Sequence, residues 1–214
     1  MNPQNLKKLL DDLHKHKTTP QQAMKKLETL PYENLDFAKV DHHRGLRSGM
    51  PEVIYCQGKT VAQIKKIIQS MNRAGHSILA TKLAKDSYRK LKSFLPKTSS
   101  YNEMAQTLTI DKNKSKKKSG LITIITAGTS DIPIAEEASV TAQLLGSQTE
   151  TLFDVGVAGI HRLFSNLEQI RKARVVIVVA GMEGALASVV GGLVDKPLIA
   201  VPTSIGYGTS FGGV

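Results

Sequence analysis

The segment Leu121-Ile122-Thr123-Ile124-Ile125 constrains this chain more than any other. It is a near-continuous apolar run without polar–apolar alternation, as expected of a strand covered on both faces, and such strands belong to parallel sheets flanked by helices. The pattern then repeats. A turn, Thr126 to Asp131, leads to a predicted helix from Ile132 to Leu145 with Pro133 in its first turn. Strands are predicted over Thr149 to Asp154, Val175 to Ala180 and Leu198 to Val201, with helices over Ile160 to Lys172 and about 183–191 between them. Strands alternating with helices of this length predict a doubly wound α/β domain with a parallel sheet.

The preceding half is organised differently. Two short helices are expected over residues 4–30, broken at Thr18-Thr19-Pro20, and residues 31–51 show no clean period. Glu52 to Cys56 reads as a strand, and Thr60 as the cap of a helix reaching Arg73, with Val61, Ile64, Ile67, Ile68 and Met71 on one face. A strand at 77–81, a helix at 84–94 and a strand at 104–110 complete a small β-α-β-α-β unit. The resulting division is residues 1–34 as N-terminal helices, 35–111 as a small α/β domain, 112–119 as a lysine-rich linker and 120–214 as the larger parallel-sheet domain.

Charge follows the same boundary. Of 29 Lys and Arg residues, only Arg162, Arg171, Lys172, Arg174 and Lys196 lie beyond position 119, against eight acidic residues, so that half carries −3 and residues 1–119 carry +14. A basic half can steer an anionic ligand. Aromatic residues are too sparse there for a stacking platform, which makes nucleic acid the lesser reading. No apolar run approaches the ~20 residues of a membrane span, no secretory leader opens the chain, and a single cysteine, Cys56, excludes an internal disulfide and a Cys-rich metal site. The reducing cytoplasm is the simplest compartment. The sequence stops at Val214, where the loop after the last strand should launch a helix, so a continuation of the chain is expected.

In doubly wound sheets ligands bind beyond the carboxyl ends of the strands. Thr126-Ala127-Gly128-Thr129-Ser130-Asp131 supplies small residues and hydroxyls at a helix N-terminus, suited to phosphate or carboxylate, although Ser and Asp also serve as ordinary caps. Asp154 to Arg162 gathers an acid, two glycines, His161 and Arg162 around one turn; His161 is either a surface residue or part of a proton-transfer or anion clamp. Gly181-Met182-Glu183-Gly184 sets one carboxylate among small residues, as a dipole partner or facing substrate. Pro202 to Gly213 is crowded with glycine and hydroxyls. Neither a Walker motif nor a Gly-x-Gly-x-x-Gly follows the first strand, so a conventional dinucleotide fold is unsupported.

Together these segments resemble the LarB family, the pyridinium-3,5-biscarboxylic acid mononucleotide synthases of nickel-pincer cofactor biosynthesis. The resemblance runs through Asp41-His42-His43-Arg44, Gly49-Met50-Pro51-Glu52-Val53-Ile54-Tyr55, Gly58-Lys59-Thr60, Asp154 to Arg162, Ala180 to Gly192 and Val201 to Gly213. From Leu121 the chain is also similar to AIR carboxylase (PurE), whose Ser-Asp and Ala-His-Arg turns parallel Ser130-Asp131 and Ile160-His161-Arg162; its second histidine motif is replaced here by Glu183-Gly184-Ala185. The implied fold is a PurE-like, flavodoxin-like three-layer domain preceded by a smaller α/β domain.

The implied activity is carboxylation of the pyridinium ring of nicotinic acid adenine dinucleotide at C5, from CO2 or bicarbonate, with hydrolysis of the phosphoanhydride to release AMP. Glu183 would remove the C5 proton, with Asp154, His161 and Arg162 orienting the ring or its carboxylate. Gly128, Ser130 and Asp131 would hold ribose and phosphate, with Thr126 and Gly181 also in the substrate site, and Thr203, Ser204, Gly206, Gly208 and Ser210 would hold phosphate or CO2. Arg44, Arg47 and Lys59 would close over the anionic substrate, and Mg2+, without an organic cofactor, would neutralise the diphosphate. The family's nucleophilic thiolate lies in an Asn-Ser-Cys-Ala segment beyond position 214, so residues 1–214 alone are expected to turn over slowly; Cys56 reads as a small packed side chain. A homo-oligomer, up to the octamer of the related fold, is expected. The rival readings are an aminoimidazole ribonucleotide carboxylase or mutase and a non-catalytic nucleotide-binding protein.

Overall fold

The computed structural model describes residues 3–27, 32–112 and 118–204. The chain divides into two compact units, one formed by residues 1–101 and 106–114 and the other by residues 102–105 and 115–214.

In the first unit, helices α1 (Pro3–His14) and α2 (Pro20–Leu27) precede a small hairpin, β1 (Tyr32–Asn34) and β2 (Lys39–Asp41), and a short helix α3 (Arg44–Arg47). A four-stranded sheet follows, built from β3 (Val53–Tyr55), β4 (Ile78–Thr81), β5 (Ser99–Asn102) and β6 (Thr107–Ile110) in the order β3-β4-β6-β5. Helix α4 (Val61–Arg73) joins the parallel pair β3 and β4, and α5 (Lys85–Leu91) follows β4. Thr60 caps α4: its hydroxyl accepts from the Gln63 N–H while the Gln63 side chain accepts from the Thr60 N–H, satisfying donors the helix cannot. The predicted face is the buried one, Ile64, Ile67, Ile68 and Met71 packing with Ile54, Ile78, Leu108 and Ile110.

Two details differ from the sequence reading. Within residues 31–51, where the sequence shows no clean period, the chain forms the β1–β2 hairpin and α3, because strands of three residues are too short to show a period of two. What holds the hairpin is remote in sequence. Glu33 on β1 accepts from the Ser70 hydroxyl at 2.6 Å and from Arg73 at 2.9 Å, and pairs with His42 at 3.1 Å. The single strand expected at 104–110 is the second arm of a β5–β6 hairpin.

This polar cluster makes the first unit acid-sensitive. His76 stacks on His42 with ring centroids 5.4 Å apart, and burial above all holds it neutral, pushed down to about 4 from an ordinary 6.5. Between those values the unfolded chain binds more protons than the folded one, so stability falls as pH drops through that window. Glu33 is held below its ordinary 4.5, chiefly by the Ser70 hydrogen bond, so its contribution is lost at still lower pH. Thermal melts from pH 7 to 4.5 are expected to show a falling Tm, and His76→Phe, which keeps a flat ring but cannot titrate, should flatten that slope; an unchanged slope would remove His76 from the account.

The second unit is the predicted parallel sheet. Strands β7 (Leu121–Thr126), β8 (Gln148–Leu152), β9 (Val175–Ala180) and β10 (Leu198–Pro202) lie in the order β10-β9-β7-β8, every pairing parallel. In chain order this is 2-1-3-4, the flavodoxin-like arrangement. Alternate strand residues point to opposite layers. Ile124 and Val179 pack with Ala135 of α6 (Ile132–Leu144). On the other face Ile125, Val176 and Val178 pack with Leu163 of α7 (Ile160–Ser165), Ile170 of α8 (Leu167–Arg171), and Leu186 and Val190 of α9 (Ala185–Gly191). The fold is therefore the three-layer, PurE-like α/β class expected. The helix predicted over 160–172 is two helices, broken at Asn166, whose side-chain amide donates to the Arg162 carbonyl at 2.8 Å. The helix predicted from 183 begins at Ala185, leaving Glu183 in the preceding turn. No helix among the described residues is long and apolar enough to cross a membrane.

Candidate ligand site

A parallel sheet whose second strand lies on one side of the first and whose third lies on the other opens a crevice where the two crossovers diverge. Here that point is the carboxyl end of β7, between β8 and β9. A cavity of about 240 Å³ lies there, lined by the segments following all three strands. Gly128, Ser130 and Asp131 come from the end of β7, Arg162 from α7, and Gly181 and Glu183 from the end of β9. Six residues singled out in three separate stretches of sequence thus share one cavity. Between them the wall is apolar, from Ala127, Val157, Met182 and Leu186. These resemble ordinary core residues, and nothing in their identity marks them as lining a site.

The rim is held by hydrogen bonds that continue the sheet. Ala127 N–H donates to Val179 O and Val155 N–H to Thr126 O, both at 3.0 Å. Thr126, expected to touch ligand, is fully buried, and its hydroxyl accepts from the Asp154 N–H at 3.0 Å. That bond fixes Asp154 at φ +59°, a left-handed conformation uncommon for a residue with a side chain. The Asp154 carboxylate forms an ion pair with the Arg162 guanidinium, which lies so close over Gly159 that an added Cβ would meet Nε at 2.6 Å. Gly156 is equally confined: a Cβ there would lie 2.6 Å from the Ala127 carbonyl oxygen.

The remaining expected site residues lie elsewhere. His161 is exposed and does not line the cavity, and Asp154 reaches it only through Arg162. Thr203 is buried and bonded to Asp131, while Ser204 is exposed and outside the lining. Gly206, Gly208 and Ser210 fall outside the described residues. Arg44, Arg47 and Lys59 belong to the first unit, where Arg47 pairs with Asp41 at 2.8 Å and the Lys59 ammonium donates to the Tyr55 carbonyl at 2.6 Å. Cys56 is 4% exposed, and burial pushes its thiol up to about 11. Such a thiol is protonated at neutral pH and inert as a nucleophile.

The two carboxylates in the lining differ. Asp131 is buried and accepts from the Gly128 N–H at 3.0 Å and the Thr203 hydroxyl at 2.8 Å. Glu183 is exposed at the rim and makes no hydrogen bond or ion pair with another described residue. It stands in the turn Gly181–Gly184, closed by the Gly184 N–H to the Gly181 carbonyl at 3.0 Å. Among the described residues no group of three or more His, Cys, Asp or Glu side chains is placed to hold a metal ion.

Sequence comparison gives two domain matches. Residues 32–113 match the LarB/PurE-like N-terminal domain, and residues 121–211 match AIR carboxylase. The chain is 46% identical over 180 residues to an uncharacterized protein of Methanocaldococcus jannaschii, an alignment covering 79% of this chain and 69% of that one. It is also 40% identical over 85 residues to the N5-carboxyaminoimidazole ribonucleotide mutase of the same organism, covering 38% of this chain and 52% of the mutase.

Proposed function

The chain belongs to the LarB family, a LarB/PurE-like N-terminal domain leading into a domain of the carboxylase type, and on that premise we propose that it carboxylates the pyridinium ring of nicotinic acid adenine dinucleotide at C5. CO2 or bicarbonate supplies the new carboxylate, the C5 proton is lost, and water cleaves the phosphoanhydride to give pyridinium-3,5-biscarboxylic acid mononucleotide and AMP.

A pyridinium carbon is too electron-poor to attack CO2. A nucleophile adding at C4 turns the ring into an enamine whose C5 is nucleophilic, and its later expulsion restores aromaticity. Cys56 is unsuited to that role, being buried, protonated and in the first unit. The reading assigns the nucleophile to the family's Asn-Ser-Cys-Ala segment, which would follow position 214. Glu183 takes the C5 proton after carboxylation, Arg162 faces the ring carboxylate, and the apolar wall excludes water from the reacting face. The observation that carries the reading is the state of Glu183: the lining carboxylate that bonds to no other described residue stands in Glu183-Gly184-Ala185, where this chain departs from the second histidine motif of AIR carboxylase. The cavity is smaller than the ~300–1,000 Å³ typical of ligand clefts, so it takes one half of a dinucleotide and leaves the other outside. The described side chains do not build a magnesium cage. Mg2+ commonly travels with substrate phosphates instead.

Mass spectrometry tests the proposal. Protein carrying the Asn-Ser-Cys-Ala segment, incubated with nicotinic acid adenine dinucleotide, bicarbonate and Mg2+, is expected to yield a dicarboxylated mononucleotide and AMP. Unchanged dinucleotide together with turnover of an aminoimidazole ribonucleotide would move the assignment to the mutase reaction. Binding without turnover of either would leave a nucleotide-binding protein.

A further inference from the structure

We propose that Thr203 is a positioning residue of the ligand cavity: its buried hydroxyl holds the Asp131 carboxylate, and through it the Gly128 turn, in the conformation that receives the ligand. The inference rests on the cavity being the ligand site described above. Thr203 is 2% exposed and Asp131 3%. One oxygen of Asp131 accepts the Thr203 hydroxyl at 2.8 Å, the other the Gly128 N–H at 3.0 Å. Asp131 therefore orients its own loop, and Ser130 is left as the polar side chain that this loop offers to a ligand.

Thr203 is itself fixed. Its N–H donates to the Ala180 carbonyl at 3.0 Å, extending the β9–β10 pairing one residue past Pro202. Together with the Ala127 N–H to Val179 bond, this joins the carboxyl ends of β7, β9 and β10 and the turn after β7 through one set of hydrogen bonds across the crevice. A shift at the end of β10 is thereby passed to Gly128, 75 positions earlier in the chain. The side chain needed at 203 is one short enough to be buried and able to donate. Serine keeps that donor, whereas valine keeps the shape and leaves a buried carboxylate oxygen without its partner.

The test uses Thr203→Val and Thr203→Ser in the full chain, with thermal melts to show that both fold. Hydrogen exchange of the peptide spanning 127–131 is expected to speed up roughly tenfold in the valine variant, with serine returning it to within about threefold of wild type. Calorimetry with nicotinic acid mononucleotide should show a parallel, roughly tenfold loss of affinity in valine alone. In protein that turns over, KM should rise while kcat stays within about threefold. If the valine variant fails to fold, Asp131→Asn, which loses one acceptor oxygen at nearly constant shape, should give the same local acceleration at 127–131. Unchanged exchange at 127–131, or faster exchange with unchanged affinity, overturns the proposal. A wild-type chain that binds no pyridine nucleotide overturns the functional reading instead, and the exchange arm alone then decides whether Thr203 sets the loop.

Discussion

Glu183→Gln is expected to lower carboxylation by about two to four orders of magnitude, while the dissociation constant for the dinucleotide changes by less than about threefold, in protein carrying the family's Asn-Ser-Cys-Ala segment. Glutamine keeps the size of the side chain and cannot accept the C5 proton. Glu183 makes no bond to another described residue, so the substitution removes no support from the Gly181–Gly184 turn and stability should not move. The profile is thus a fall in kcat with binding and Tm preserved, read from product formation, calorimetry and melting. A primary isotope effect on product formation from C5-deuterated substrate, larger in Glu183→Gln than in wild type, would show that the step slowed is proton removal. Normal turnover in Glu183→Gln would take this residue out of the mechanism and leave Arg162 as the charged group of the cavity with a direct chemical role.

Gly156→Ala is expected to cost the second unit about 1–3 kcal/mol and to weaken nucleotide binding at least tenfold. The added methyl group would sit 2.6 Å from the Ala127 carbonyl oxygen, a backbone atom rather than the tip of a flexible side chain. Neither partner can yield cheaply. Ala127 is tied to Val179 by its N–H, and Val155, next to Gly156, is tied to Thr126. Relief must come from moving the turns after β7 and β8 apart, and both line the cavity. Gly191→Ala is the control: a Cβ added there would meet no described atom beyond its own turn of helix within 4 Å, and alanine is the better helix former, so it should be neutral or slightly stabilising. Denaturant melts and calorimetry on the pair separate a local steric effect from a general intolerance of alanine for glycine.

The parallel sheet was legible because β7 and β9 are largely apolar on both faces and β7, β8 and β9 are each followed by a helix, a pattern set by local residues alone. The small unit was legible where one long amphipathic helix, α4, repeats its apolar face over 13 residues. The β1–β2 hairpin was not, since Glu33 depends on Ser70 and Arg73, 37 and 40 positions away. In the site, the loops that meet could be named from sequence, but not which side chain of each loop faces inward. His161 and Arg162 are neighbours in one motif, yet successive helical residues point about 100° apart, and the helix turns Arg162 to the cavity and His161 to solvent. Thr203 and Asp131 both looked like ligand contacts; their bond to one another spans 72 positions and no local pattern reveals it.

The central place of β7 also bears on synthesis. It is flanked by β8 and β9, so a largely apolar strand leaves the ribosome some 50 residues before its second partner, Val175–Ala180, exists. An unpaired apolar strand is the segment most prone to stick to its copies on neighbouring nascent chains. The five lysines between Asp111 and Lys118 emerge immediately ahead of it. Like charge at that spot repels a second chain during the wait, the office of a gatekeeper beside a strand that must stay hydrophobic.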